Sequence, residues 1–240
     1  MTVAPYGTQS AWTAAAASSV TVDKPTGLTA GDRLVALVFC SRHSYPTFNT
    51  PSGWTAGTVL NGDPFFDVAT YNRWALFYKV ADAADAAASN FTFTASTADK
   101  RLGVVIVGVS GLSGFDVDAR ARAAAKTSPL VLSGGIAPAG GGGLLIVASG
   151  FTFGGGITSV AGPALATDNP TWTNLYPDTA FDGSRVRVDY AVREASSSTG
   201  DISQSAVGSG SMYGFMGVAA FAPAAGDTAD RSMTPMRGIW

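Results

Sequence analysis

Two stretches of this chain, about 110 residues apart, carry the same order of strand and turn signals, and that repetition limits the folds open to it. Residues 20–38 run Val-Thr-Val, a Pro/Gly turn, then Leu34-Val35-Ala36-Leu37-Val38. Residues 130–148 run Leu-Val-Leu, a Gly/Pro turn with Pro138, a glycine run, then Leu144-Leu145-Ile146-Val147-Ala148. Residues 73–82 align with 185–194, and residues 103–107 align with 214–218. The period is too long for a solenoid unit. It implies two copies of a half-sandwich or two small β domains. What repeats is packing. No set of acids, bases or metal ligands recurs with it.

The punctuation between the apolar runs points the same way. Strand signals fall at residues 20–22, 34–40, 74–80, 91–94, 102–109, 130–132, 144–148, 185–192, 202–206 and 214–221. Turn signals separate them, among them Pro25-Thr26-Gly27, Asn61-Gly62-Asp63-Pro64, Gly134-Gly135, Gly154-Gly155-Gly156 and Asp182-Gly183. Residues 34–40 are continuously apolar, the pattern of a strand buried on both faces. Alanine-rich residues 14–17, 83–88 and 119–125 offer a turn or two of helix each, without a sustained apolar stripe. Ten short strands between Gly/Pro turns predict an all-β, jelly-roll-like β-sandwich.

Each half has about five strands and an apolar face to cover. The simplest arrangement is one sandwich spanning residues 20–224, with halves at about 20–111 and 127–224 and strands exchanged between sheets. Residues 1–19 would form an N-terminal segment and 111–126 the crossover. Leu34, Leu37, Val105, Ile106, Leu145 and Val147 would share one core between the halves. Two separate domains are the alternative. Residues 225–240 are polar and aperiodic until Met233, Met236, Ile239 and Trp240, an apolar tip that reads as a frayed end or an arm docking on a neighbouring chain.

Charged residues are only 13% of the chain, about half the usual share. The net charge of -2 predicts no basic face for nucleic acid or anionic lipid. No apolar run nears the roughly 18–20 residues of a membrane helix, so no membrane insertion is expected. The first residues, Met1-Thr2-Val3-Ala4-Pro5-Tyr6, lack a secretory signal pattern, which implies synthesis in a cytoplasm. Eleven arginines against four lysines, and one glutamate against 16 aspartates, fit a high-GC genome and turn-forming Asp. Few charges and many small residues suit a protein held in an assembly.

Chemistry is sparse. Cys40 and His43 are the one cysteine and the one histidine, and at three residues apart on a strand they point to opposite faces. This pair argues against a nucleophile–base dyad and against a zinc site, so no cofactor or metal is expected. Asp63 with Asp67, Asp82 with Asp85, and Asp116 with Asp118 are the acid pairs a hydrolase or calcium site would draw on. None matches a calcium loop, and the plain reading is turn caps. Gly140 to Gly143 precede a strand rather than a helix, so they form a flexible turn and not a phosphate cradle. Trp54 and Trp172 sit beside prolines at related places in the halves. They read as plugs at the ends of the sandwich or as stacking platforms for carbohydrate.

The motifs are Pro25-x-Gly27-Leu28-x-Ala30-Gly31-Asp32-x-Leu34-Val35-Ala36, Pro51-Ser52-Gly53-Trp54-Thr55, Phe77-Tyr78-Lys79-Val80-Ala81-Asp82, Phe91-Thr92-Phe93-Thr94 and Gly108-Val109-Ser110-Gly111. Together they resemble a two-repeat β-sandwich domain of bacteriophage minor tail and other virion structural proteins, from phages of high-GC Gram-positive bacteria. The resemblance covers residues 10–224 and departs in the second half, where the glycine run replaces Ala-Gly-Asp and the Trp172 motif lacks Gly. It implies a non-enzymatic virion component, in the tail or decorating the head, that contacts other virion proteins and copies of itself. It supplies no catalytic residue. A module binding a cell-surface glycan is the alternative, and a hydrolase using the Asp pairs is a third reading.

Overall fold

A computed structural model of the chain describes residues 3–41, 47–57, 73–99, 101–123, 129–139, 141–153, 157–168, 170–181, 184–195, 197–208 and 212–224. The first half contributes β1 (Ala4–Trp12), β2 (Ala17–Asp23), β3 (Arg33–Ser41), β4 (Phe48–Asn49), β5 (Thr55–Ala56), β6 (Arg73–Val80), the short α1 (Ala83–Ala87), β7 (Asn90–Asp99) and β8 (Arg101–Ser110). The second contributes β9 (Leu112–Ala123), β10 (Leu130–Leu132), β11 (Gly143–Phe153), β12 (Ile157–Val160), β13 (Ala164–Leu165), β14 (Thr173–Phe181), β15 (Ser184–Arg193), β16 (Ile202–Gln204), β17 (Ala206–Gly208) and β18 (Met212–Pro223). The protein is an all-β sandwich of antiparallel sheets, as the strand and turn signals require.

Each half folds on itself. In the first, β1 pairs with β8, β2 with β7, and β3 with both β6 and β8, giving a five-stranded sheet β1-β8-β3-β6-β5 and a small sheet β2-β7-β4. First strand with last and second with next-to-last is the nested pairing of a jelly roll. In the second half the large sheet is β9-β18-β11-β15-β14, with small sheets β10-β16-β13 and β12-β17. The two large sheets keep the same registers. Val35 faces Tyr78 and Val107; Ile146 faces Tyr190 and Ala219. The alignment by sequence needs a one-residue correction in both apolar runs, 34–38 matching 145–149 rather than 144–148 and 103–107 matching 215–219 rather than 214–218. In a strand one residue is the difference between the two faces.

The layers follow from this alternation. Odd residues of β3 (Val35, Leu37, Phe39) and even residues of β11 (Leu144, Ile146, Ala148) meet in a central core between the large sheets. Even residues of β3 (Leu34, Ala36, Val38, Cys40) pack under the first small sheet. Leu145, Val147 and Phe151 pack under the second half's small sheets. Each large sheet is covered on both sides, which is why β3 is apolar at every position from Leu34 to Cys40. β2 lies in an outer layer and alternates: Val20 and Val22 are buried, Thr21 and Asp23 exposed.

Several expectations change. Strands are not exchanged between the halves: among the described residues every sheet draws on one half. The six core positions are all buried, but only Leu37 and Val105 lie in the shared core; Leu34 and Ile106 belong to the first outer core, Leu145 and Val147 to the second. Residues 1–19 include β1, a full edge strand. Residues 111–126 include β9, which pairs with β18 rather than crossing over. One residue, Gly111 at φ 77°, separates β8 from β9, so the chain turns from the first large sheet into the second at a left-handed glycine. Of the alanine-rich stretches, only residues 83–87 form a helix, capped reciprocally by Asp82 and Asp85. Residues 119–123 are strand, because pairing with β18 overrides helix propensity.

Aromatic pairs join the large sheets on both sides of the central core. Trp12 at the end of β1 meets Tyr176 of β14, and Tyr78 of β6 meets Phe115 of β9. β1 and β9 hold corresponding places in their sheets. Each half therefore contributes its equivalent edge strand to one of the two contacts.

Candidate functional site

The two outer cores occupy the same place in their halves and differ in chemistry. In the first, Val38, Ala75, Phe77 and Phe93 are buried and apolar, and Phe77 stacks on Phe93 with ring centroids 6.0 Å apart. The register places Ser149, Arg187, Asp189 and Gln204 at the matching positions. Val38 pairs with Ala75 as Ser149 pairs with Arg187, and Val20 faces Phe93 as Leu130 faces Gln204.

These side chains form a polar network inside the second sandwich. Arg187 grips fully buried Asp189 through two nitrogens, both at 2.8 Å. Asn174 donates to the same carboxylate at 2.9 Å. Arg187 also donates to the carbonyl of Val160 at 3.2 Å, and Gln204 donates to the neighbouring carbonyl of Ala161 at 2.8 Å. Three atoms of this interior are buried without a hydrogen-bond partner: Ser149 Oγ, Gln204 Oε1 and Trp172 Nε1. Each such group costs about 1–3 kcal/mol. The first outer core contributes none among the described residues. The network was not foreseen from the sequence. Its signal was present, since aligning residues 73–82 with 185–194 sets Ala75 against Arg187 and Phe77 against Asp189.

Trp54 and Trp172 each precede an edge strand of a large sheet, β5 and β14. Trp54 is half-buried, edge-on to Phe91 and Phe93 at 5.8 and 5.3 Å, with Lys79 Nζ 5.9 Å from its ring centre. Trp172 packs on the second outer core. The two tryptophans therefore lie on opposite outer layers and do not form one platform.

The aspartates hold loops. Asp82 accepts from Asp85 N and Asp85 accepts from Asp82 N, while Lys79 pairs with Asp85 at 2.7 Å. The backbone bond from Asp85 comes first in holding the Asp82 carboxyl below its ordinary range. Asp116 and Asp118, two residues apart and so on one face of a regular strand, are divided by a bulge in β9: Asp116 accepts from Ala139 N at 2.6 Å, while Asp118 is buried beside Gly57. Asp32 accepts from Thr29 and from Tyr6 Oη. Burial works to raise Asp32, but these bonds outweigh it and leave its carboxyl low, while burial and the Asp32 contact push Tyr6 up.

Buried Arg193 ties down the end of the second sandwich. It donates to both Asp168 oxygens and to the carbonyls of Ala195, Ser197 and Ser198. Its hydrogen bond is the main reason the Asp168 carboxyl lies below its ordinary range. A mostly apolar pocket beside it, lined by Pro138, Gly143, Leu144, Ala195 and Phe221, has room for about one water. Gly141 and Gly143 are closely packed against backbone, not part of a loose turn. A Cβ on Gly141 would run into the carbonyl oxygen of Glu194, and one on Gly143 would come within 2.5 Å of that of Phe221.

Cys40 is buried in the first outer core. His43, Asp63, Asp67 and the apolar tip Met233, Met236, Ile239 and Trp240 lie outside the described residues. Among the described residues no group of three or more His, Cys, Asp or Glu is placed to hold a metal ion, and no helix is long and apolar enough to cross a membrane. No protein-family model matches the chain, and no curated protein or solved structure matches it.

Proposed function

We propose that this chain is a non-enzymatic structural protein of a bacteriophage particle, a minor tail protein or a head decoration protein, made in the host cytoplasm and held by contacts to other virion proteins and to further copies of itself. The observation that carries the reading is the use made of the carboxylates. Asp82 and Asp85 cap a helix, Asp116 and Asp118 point to different neighbours, and Asp168 and Asp189 serve arginines. Among the described residues these carboxylates hold loops, a helix end and buried arginines. The resemblance to virion β-sandwich domains supplies the setting, and the matched registers of the two large sheets fit a duplicated jelly roll. Jelly rolls recur in viral capsid and lectin domains, which is support by analogy of fold.

The arm at residues 225–240 is the part proposed to dock on a neighbour. Removing residues 227–240 should leave the sandwiches folded and lower incorporation into particles. Mass spectrometry of purified particles, with localisation by cryo-electron microscopy, reads both. Normal incorporation of the truncated chain, or absence of the full chain from particles, overturns the proposal.

Glycan binding is the second reading, favoured by the half-exposed Trp54 with Lys79 over its ring. Binding on a glycan array that is lost in Trp54→Ala, with the fold kept, would put this reading first.

A further inference from the structure

We propose that the small sheets β10-β16-β13 and β12-β17 form a cover that opens as a unit from the second sandwich while both large sheets and the first sandwich stay closed. Two independent observations carry it. The first is polar. Ser149 Oγ, Gln204 Oε1 and Trp172 Nε1 are buried without partners, and all three belong to this one interior. Opening returns them to water and recovers the hydrogen bonds they lack, so closing is opposed where the apolar first sandwich has no such opposition. The positions are matched: Ser149 stands where the first half has Val38, and Gln204 where it has Phe93, both buried there among apolar side chains.

The second observation is the size of the cover. Its strands span two to four residues each, whereas the first sandwich is covered chiefly by the seven residues of β2 and the ten of β7, beside the two of β4. A short strand contributes few ladder hydrogen bonds and few buried side chains. Such elements are the ones that open below the global unfolding free energy. Bonds within the cover favour opening in one piece: Gln204 of β16 holds the carbonyl of Ala161 between β12 and β13, and Ala161 N and Ala166 N donate to the carbonyls of Ser205 and Asp201 that flank β16. Opening breaks the bonds from Arg187 and Arg193 of β15 to Val160 and to the 195–198 segment, which tie the cover to the large sheet.

Native-state hydrogen exchange on the full chain tests this. The backbone amides of residues 130–132, 164–165 and 202–204 should share one opening. They should be at least about tenfold less protected than those of Val20, Val22, Phe91 and Phe93 in the first cover. Ser149→Val, which places the first half's residue in the matching position, should slow exchange in the second cover at least about fivefold and leave the first cover unchanged. Ser149→Ala removes the hydroxyl without adding bulk and should act in the same direction if valine does not fit. Equal protection of the two covers overturns the proposal, as would ordered water that satisfies the three atoms and equalises protection. Unchanged exchange in both variants overturns it too, since strand length alone would then account for any difference.

Discussion

Tyr78 of β6 stacks on Phe115 of β9 with ring centroids 4.7 Å apart and planes 12° from parallel, and this contact joins two sheets that share no hydrogen-bonded strand. Both rings also meet Phe221 edge to face, at 5.9 and 5.7 Å. The central core therefore ends in an aromatic cluster drawn from both halves. A double-mutant cycle of Tyr78→Ala and Phe115→Ala should give a coupling of about 0.5–1.5 kcal/mol in urea unfolding. A coupling of zero would mean that the halves are not packed through this contact.

Gly141 leaves no space for a side chain. Gly141→Ala forces its new methyl against the Glu194 carbonyl, which is backbone and cannot rotate away. The β11–β15 end must separate or the loop must move, at a cost of roughly 1–3 kcal/mol, the usual range for overpacking. Thermal unfolding of the variant checks this. An unchanged Tm would show that Gly141 is held less closely than its approach to Glu194 implies.

Stability should fall in acid, and Arg193 should report part of it. Asp32, Asp82 and Asp168 all have carboxyls below their ordinary range. A group whose pKa is lower folded than unfolded contributes stability above its unfolded value, and that stability is lost as pH falls through the folded value. The loss should therefore begin near pH 4, where unfolded aspartates titrate, and continue below it. Asp168→Asn should flatten that part of the profile while leaving the slope above about pH 6 unchanged. Arg193→Ala should cost roughly 2 kcal/mol at neutral pH, because it takes this donor from the carbonyls of Ala195 and Ser197 and leaves half-exposed Asp168 with Thr167.

Trp54 and Trp172 should behave as core residues of different halves. Trp54→Ala removes the ring that packs on Phe91 and Phe93 and should cost roughly 2 kcal/mol, less than a fully buried tryptophan because Trp54 is half-buried. Trp172→Phe keeps much of the packing and removes an indole N–H that lacks a partner, so its cost should be under about 1 kcal/mol. The two effects should add, since the residues lie on opposite outer layers. Non-additivity above about 0.5 kcal/mol would contradict that separation.

Sequence by itself determined the strands and the class of the fold. Nine of the ten segments marked by β-branched and aromatic residues between Gly/Pro turns are single strands, and the tenth, 202–206, is divided at Ser205 between β16 and β17, because such runs pack well on a pleated surface. It determined less well the edge strands. β1 contains Pro5 and Gly7 and β9 is rich in Ala and Arg; an edge strand is held by its neighbour's hydrogen bonds, and these leave little trace in composition. Only the tertiary structure decided which apolar face meets which. Leu34 and Leu37 are equally apolar, yet one packs inward on its own half and the other on the second half. A strand buried on both faces has no polar side to orient it, so the layer order is set by register and by which sheet lies opposite. The same holds for the polar interior around Arg187 and Asp189. Those residues look like an exposed alternating face in sequence, and they become a buried network only because β12, β16 and their loops close over them, supplying carbonyls where water would otherwise be.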